Sequence, residues 1–300
     1  MKVIVIGSKG FIGQALFDYF KQKKVQVSGA DIISEPLQDY FFVNASSPDY
    51  DDIFQQQSFD YCINASGAAN VNFSIANPAW DYELNTHNVF RLLHAICKFN
   101  PACRFLQISS AAVYGNPVSL PVNENALIQP LSPYGFHKWQ SELLCREFNT
   151  VYGVHTSIVR IFSAYGPGLR KQLFWDLYQK SLQTKEIELS GTGNESRDFI
   201  YIQDIVEALE KVMLYDALPA QVVNIASGVE TTVKDAVEGF FHFMHSDVKV
   251  KFNGLSRAGD PLNWRADISK LKETGFKPMH SFLQGLKQYC EWLKSIEHPG

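Results

Sequence analysis

Tyr134 and Lys138 are four residues apart, and Ser110 lies upstream at the end of an apolar run. A spacing of four puts a phenol and an ammonium on one face of a helix. A phenol ordinarily titrates near ~10, and a neighbouring positive charge favours its anion and lowers that value. Tyr134 would then exchange a proton with a substrate hydroxyl near neutral pH. Ser110 would hold the same oxygen as it becomes a carbonyl. A Tyr-x-x-x-Lys spacing alone is often just an exposed helix turn, so the surrounding elements must decide.

The helix that carries the pair is marked by Ser132-Pro133, because proline is tolerated in a first turn, and an amphipathic run follows. The pattern predicts a helix over 133–152. At the other end of the chain, the apolar run 3–6 breaks into Gly7, Gly10 and Gly13 and then continues in helical period. This reads as strand, tight turn and helix. A helix N-terminus approached by bare glycine amides is an anion site fit for a pyrophosphate. A second strand over 25–31 ends in Asp31, where a carboxylate accepts hydrogen bonds from an adenosine ribose diol. Ile32 and Ile33 follow, leaving no cation to neutralise a 2′-phosphate, so NAD is favoured over NADP. A cationic nicotinamide would further favour the Tyr134 anion.

Apolar runs at 61–64, 105–108 and 156–159 alternate with helical stretches at 79–98 and 133–152. That alternation predicts an α/β fold, a doubly wound parallel sheet with helices on both faces. Small or polar residues follow the strands: Ser66-Gly67-Ala68, Ser109-Ser110 and Ser163. Ligands in such sheets bind at these ends. After about residue 165 the elements shorten and are broken by Gly and Pro, so residues 1–165 are read as one domain and 166–300 as a second, smaller α/β substrate domain. A helix at 203–213 and a strand at 222–225 could still pack back on the large sheet.

The 300 residues are 46% hydrophobic with a formal charge of −4 and no long basic run, which argues against nucleic-acid and membrane-surface partners. A small soluble ligand is expected. The five cysteines are scattered without a Cys-x-x-Cys pair, so neither a disulfide framework nor a zinc site is expected. No segment is apolar enough to span a membrane, and the expected location is cytoplasmic. His242 and His245 are read as a helix surface pair, Phe240-Phe241-His242-Phe243-Met244 as core, and no metal is expected.

The ordered set of glycine turn, Asp31, Ser109-Ser110-Ala111-Ala112-Val113-Tyr114-Gly115 and Tyr134 with Lys138 resembles the extended short-chain dehydrogenase/reductases, the NAD-dependent epimerase/dehydratase family. The resemblance runs over nearly the whole chain, including Asn77-Pro78 with Asn85, the run from Arg160 to Pro167, the run from Gly193 to Ile200, and Arg257 to Pro261. It implies a Rossmann fold and a nucleotide-sugar substrate. Ser110, Tyr134 and Lys138 would be catalytic. NAD would lie against Gly7, Gly10, Phe11, Ile12, Gly13, Asp31, Asn44, Ala45, Ser66, Gly67, Ala68 and Asn85, with Tyr134 and Lys138. Substrate would meet Ser110, Tyr134, Ser163, Arg197, Arg257 and Asp260. The two arginines would clamp the diphosphate, a task that suits a planar fork of donors. The helices at 79–98 and 133–152 resemble the pair through which family members dimerise, implying a homodimer.

Departures from the family pattern narrow the reaction. Its dehydratases carry an acid pair after the catalytic hydroxyl; here Ala111 and Ala112 stand there, and the run looks most like a 4-epimerase. Ser163 replaces the usual Asn, Asn64 a usual His, and Asn44 a frequent acid. Arg170, Lys171 or Gln172 could compensate for Ser163. The expected activity is NAD-dependent epimerisation at C4 of a nucleotide-linked hexose. The alternatives are an NAD(P)H-dependent reductase of a 4-keto-6-deoxy sugar nucleotide and, further off, a non-catalytic NAD-sensing regulator.

Overall fold

The computed structural model describes residues 1–215, 220–255 and 261–297. Its strands, in chain order, are β1 (Lys2–Ile6), β2 (Gln26–Asp31), β3 (Tyr40–Phe42), β4 (Tyr61–Asn64), β5 (Arg104–Ser110), β6 (Thr156–Ile161), β7 (Ser163–Tyr165), β8 (Glu186–Leu189), β9 (Ser196–Tyr201), β10 (Val222–Ile225), β11 (Glu230–Thr232) and β12 (Lys249–Phe252). Seven of them form one parallel sheet in the order β10-β6-β5-β4-β1-β2-β3.

Side chains alternate across β1. Val3 and Val5 join Leu16 and Phe17 of helix Phe11–Gln22 in one core, while Ile4 and Ile6 join Leu92 and Ile96 of helix Asn88–Phe99 in the other. Period-two alternation with apolar residues on both sides requires helices on both faces, which is the Rossmann-like, doubly wound arrangement. Strand β10 pairs with β6, and helix Ile202–Leu214 packs on Phe11–Gln22.

Two smaller sheets complete the described chain: β11-β9-β7 and β12-β8. An aromatic cluster binds the first of them to helices Gln172–Ser181 and Phe282–Glu297. Tyr165, Phe174, Phe199 and Phe282 meet in it with ring centroids 5.0 to 6.1 Å apart. Phe240 and Phe241 are buried in the same core, whereas His242 and His245 are exposed at the end of helix Val233–Met244.

Helix Pro133–Tyr152 matches the sequence expectation, capped by the Ser132 hydroxyl, which accepts from the Gly135 amide. The stretch expected as one helix over 79–98 is three pieces: Pro78–Tyr82, a π-helical turn Glu83–His87, and Asn88–Phe99. A π turn widens the helix locally, a device common at functional sites. Here it carries Asn85.

Candidate active site

The glycine turn after β1 leaves no room for side chains. A Cβ on Gly13 would lie 2.0 Å from the Gly7 carbonyl oxygen, and one on Gly7 would lie 2.7 Å from the Ser66 backbone. Gly7 also has φ +79°, a conformation L side chains rarely adopt. Gly10 caps helix Phe11–Gln22 without a side-chain hydrogen bond, and Phe11, Ile12 and Gly13 form its first turn. Asp31 ends β2 beside this turn, accepting from the Lys9 amide at 2.8 Å and the Ile33 amide at 3.3 Å. The carboxylate therefore braces the glycine turn as well as ending the strand.

After β4 the chain turns through Ser66, Gly67 and Ala68. Asn64 organises this turn: its Oδ1 accepts from the Ser66 hydroxyl at 2.6 Å and the Ser66 amide at 3.1 Å. Its Nδ2 donates to Gln107 on β5 at 2.9 Å. Asn85 reaches the turn from the π segment, donating to the Ala68 carbonyl at 3.1 Å and to Asp81 at 3.0 Å. The Asn85 Oδ1 is buried without a hydrogen-bond partner, 2.4 Å from where a Gly67 Cβ would stand. Gly67, at φ +109°, is thus required by the Asn85 amide as well as by its own turn.

At the end of β5, Ser110 caps a short 3₁₀ turn, Ala111–Val113, by accepting from the Ala112 amide at 3.1 Å. Tyr134 is buried near Ser110, whose hydroxyl favours the phenol's anion. Lys138 is buried one turn along and donates to the Ile108 carbonyl at 3.1 Å. Their titration departs from the sequence expectation. Burial pushes the Tyr134 phenol up to about 12, against the opposing pull of the Ser110 hydroxyl, and Asp81 adds to the rise. Burial also pushes Lys138 down to about 8, although Asp81 and Glu142 favour its ammonium; Lys171 adds to the fall. Desolvation disfavours the charged form of each group, so the phenol keeps its proton and the ammonium sheds its own more readily.

A ladder of polar side chains on one face of the sheet fixes helix Pro133–Tyr152. Ser109 donates to Glu142 at 2.6 Å, and Arg160 on β6 grips the same carboxylate at 2.9 and 2.6 Å. Both charged groups are almost fully buried. Asn64, paired with Gln107, and Ser109, paired with Arg160, sit at matching registers on β4, β5 and β6. Helix Pro133–Tyr152 is therefore clamped by fully desolvated polar contacts rather than by apolar packing alone.

The remaining predicted residues lie elsewhere. Asn44 and Ala45 are exposed after β3, and the Asn44 Oδ1 accepts from the Ser46 amide at 2.9 Å in a local turn. Ser163 opens β7 opposite Phe199 of β9, and Arg197 stands on β9 opposite Thr231. The Arg197 guanidinium donates to the Ser196 and Leu262 carbonyls at 2.8 and 3.2 Å and lies over the Trp264 ring. Arg257 and Asp260 lie outside the described residues. The Arg170 guanidinium lies over both Trp175 and Trp292, 5.8 Å from each ring centroid. Among the described residues, no cluster of three or more His, Cys, Asp or Glu side chains could hold a metal, and no helix is long and apolar enough to cross a membrane.

Asp81 and His137 entered no sequence-level assignment. The legible signals were the four-residue spacing of Asp81 and Asn85 and the place of His137 inside the Tyr-x-x-x-Lys run.

A family model described as the NAD dependent epimerase/dehydratase family matches residues 3–226. The UDP-glucuronate 4-epimerase of Thermodesulfobacterium geofontis is 27% identical over 323 residues, covering 97% of this chain and 95% of the relative. The Bacillus cereus UDP-glucuronic acid 4-epimerase, solved with UDP-glucuronic acid and NAD, is 25% identical with a TM-score of 0.89, covering 99% of this chain and 100% of that one. The UDP-N-acetylglucosamine 4-epimerase of Methanobrevibacter ruminantium is 26% identical with a TM-score of 0.87, covering 98% of both chains.

Proposed function

Because the chain belongs to the NAD-dependent epimerase/dehydratase family, we propose that it inverts C4 of a nucleotide-linked hexose through a transient 4-keto sugar. One observation carries this reading. Ser110, Tyr134 and Lys138 are gathered where β5 meets helix Pro133–Tyr152, while Ala111 and Ala112 follow Ser110. The set can oxidise and reduce a carbinol, but it lacks a second acid and base after Ser110 for expelling water.

The residues present fit NAD. The turn from Gly7 to Gly13 is a cradle that a Cβ would fill, Asp31 lies beside it, and the buried Asn85 Oδ1 is an acceptor without a protein partner. Bound there, NAD supplies reversible hydride exchange at C4. Phe11, Ile12, Asn44, Ala45, Ser66 and Ala68 complete its expected surroundings. Tyr134 would accept the C4 hydroxyl proton on the way to the 4-keto sugar and return it on the way back, the hydride exchange at C4 being what NAD would supply. Ser110 holds the C4 oxygen in both directions. The Lys138 ammonium lowers the cost of a Tyr134 anion that burial alone opposes.

Ser163, Arg197, Arg257 and Asp260 are assigned to the nucleotide sugar; Ser163 lies at the end of the cofactor domain of 1–165, and the other three fall in a substrate domain within 166–300, from which helix Ile202–Leu214 and β10 return to the large sheet. The UDP-sugars of the relatives make a UDP-hexose the first substrate to test. Exposed Trp80, Phe90, Phe136 and Leu143 on helices Pro78–Tyr82, Asn88–Phe99 and Pro133–Tyr152 support a homodimer, and the odd, unpaired cysteines support a reducing, cytoplasmic setting.

Incubation of purified protein with UDP-glucose, UDP-glucuronic acid and UDP-N-acetylglucosamine, followed by chromatography of the C4 epimers, tests the proposal. Turnover without added reductant is expected. Stoichiometric consumption of NADH or NADPH on a 4-keto substrate would replace the epimerase with the reductase.

A further inference from the structure

Asp81 is fully buried, and its two oxygens have separate partners. Oδ1 accepts from Asn85 at 3.0 Å, and Oδ2 meets His137 Nδ1 at 2.6 Å. The main chain of His137 is tied to the same segment, since its carbonyl accepts from the Thr86 hydroxyl at 3.1 Å. One residue of the catalytic helix is thus fastened twice to the 78–87 segment. Asn85 extends the connection to the Ala68 carbonyl in the turn after β4. The chain of contacts runs from the immediate neighbour of Lys138 to the turn expected to face NAD.

A carboxylate in this position has an electrostatic consequence. The burial that strips water from Lys138 destabilises its ammonium, and a negative charge held nearby offsets part of that cost. Every charged or titratable group identified around Lys138 can be named. Asp81, on the 78–82 helix, acts on it as an opposite charge, and Lys171, just before Gln172–Ser181, as a like one. Tyr134, His137 and Glu142 share its helix, and Arg160 on β6 is already paired with Glu142. Glu142 divides its charge between Arg160 and Ser109, and Lys171 opposes the ammonium, so Asp81 is the carboxylate least committed to another cation.

We propose that Asp81 and His137 form a positioning pair for the Tyr134–Lys138 dyad: His137 holds the buried carboxylate against the catalytic helix, and that carboxylate keeps Lys138 charged. The pair rests on the reading of Tyr134 and Lys138 as the reactive groups, but its electrostatic action needs neither substrate nor turnover. Asp81 also pushes the Tyr134 phenol up, so its support is selective for the ammonium.

The test is a titration of Lys138 by nuclear magnetic resonance in protein carrying lysine labelled with carbon-13 at Cε, the signal being assigned by its loss in Lys138→Arg. The wild-type midpoint is expected near about 8. Asp81→Asn should lower it by about one unit, the size of shift a nearby opposite charge produces. His137→Leu, which leaves the carboxylate but removes its donor, should lower it in the same direction. His137→Gln, which keeps a donor, should restore the wild-type value. If Asp81→Asn does not fold, the two His137 variants decide the matter. A midpoint unmoved in Asp81→Asn, or in His137→Leu where that variant alone is soluble, overturns the proposal. With active protein, the alkaline limb of the kcat profile should move down in pH by the same amount. Absent turnover in wild-type protein would instead count against the epimerase reading and leave the titration result standing.

Discussion

The end of the large sheet and the three-stranded sheet hold their functional candidates by different means. At the end of the large sheet, a backbone cap sets Ser110, a carbonyl contact sets Lys138 and burial surrounds Tyr134, and Glu142, Arg160 and Ser109 beneath them are locked out of water. In the three-stranded sheet, Ser163 on the edge strand and Arg197 on the central strand are half-buried, and Arg197 rests on backbone carbonyls and an aromatic face. The first region is preorganised for one chemistry. The second leaves Ser163 and Arg197 partly exposed, the exposure expected of the nucleotide-sugar contacts proposed for them.

The sharpest break in this comparison comes from Tyr134→Phe. Removing the proton acceptor should lower kcat by roughly a thousandfold or more while leaving NAD affinity within a few-fold, measured by turnover and calorimetry. Retained activity would take Tyr134 out of its assigned role. Glu142→Gln should come next. It leaves the Arg160 guanidinium buried without its carboxylate, at a cost of about 3–5 kcal/mol, so a drop in Tm of roughly 10 °C is expected by calorimetry. A Tm within ~2 °C of wild type would mean the ladder does not clamp the helix.

Glycine substitutions refine the contrast within the large sheet. Gly13→Ala drives a Cβ into the Gly7 carbonyl, whereas Gly153→Ala meets nothing within 4 Å and carries only the strain of φ +72°. NAD affinity should fall at least roughly tenfold in the first, while the second should lose only about 1 kcal/mol of stability with unchanged affinity. Equal effects on binding would separate the glycine turn from the cofactor. The smallest effect is expected from Arg197→Ala. A half-exposed side chain held by carbonyls should leave Tm nearly unchanged and raise KM several-fold with little change in kcat, by steady-state kinetics. A large fall in kcat would move Arg197 into the preorganised region.

The legibility of the chain divides along similar lines. Strands Tyr61–Asn64 and Val222–Ile225 and helix Pro133–Tyr152 were readable to the residue, because apolar period and capping chemistry are local properties. The short strands Ser163–Tyr165 and Glu230–Thr232 were not, since three residues carry no period. The expected continuous helix over 79–98 hid a π turn, because the extra residue in that turn is not encoded in the apolar spacing. Asn64 was read as a departure from a usual His, and its position shows a different task, bracing the Ser66 turn from within the sheet.

The sequence alone determined that a parallel sheet would carry a glycine turn at one strand end and a phenol and an ammonium on one helix face, because steric permission and periodicity act between near neighbours. The tertiary structure decided how those groups titrate. Burial raises Tyr134 and lowers Lys138, opposite to the easy exchange that their spacing alone implied, and Asp81, 53 residues before Tyr134, opposes the second shift. Desolvation and the placement of a distant charge depend on what the fold packs around a residue, which no local pattern contains.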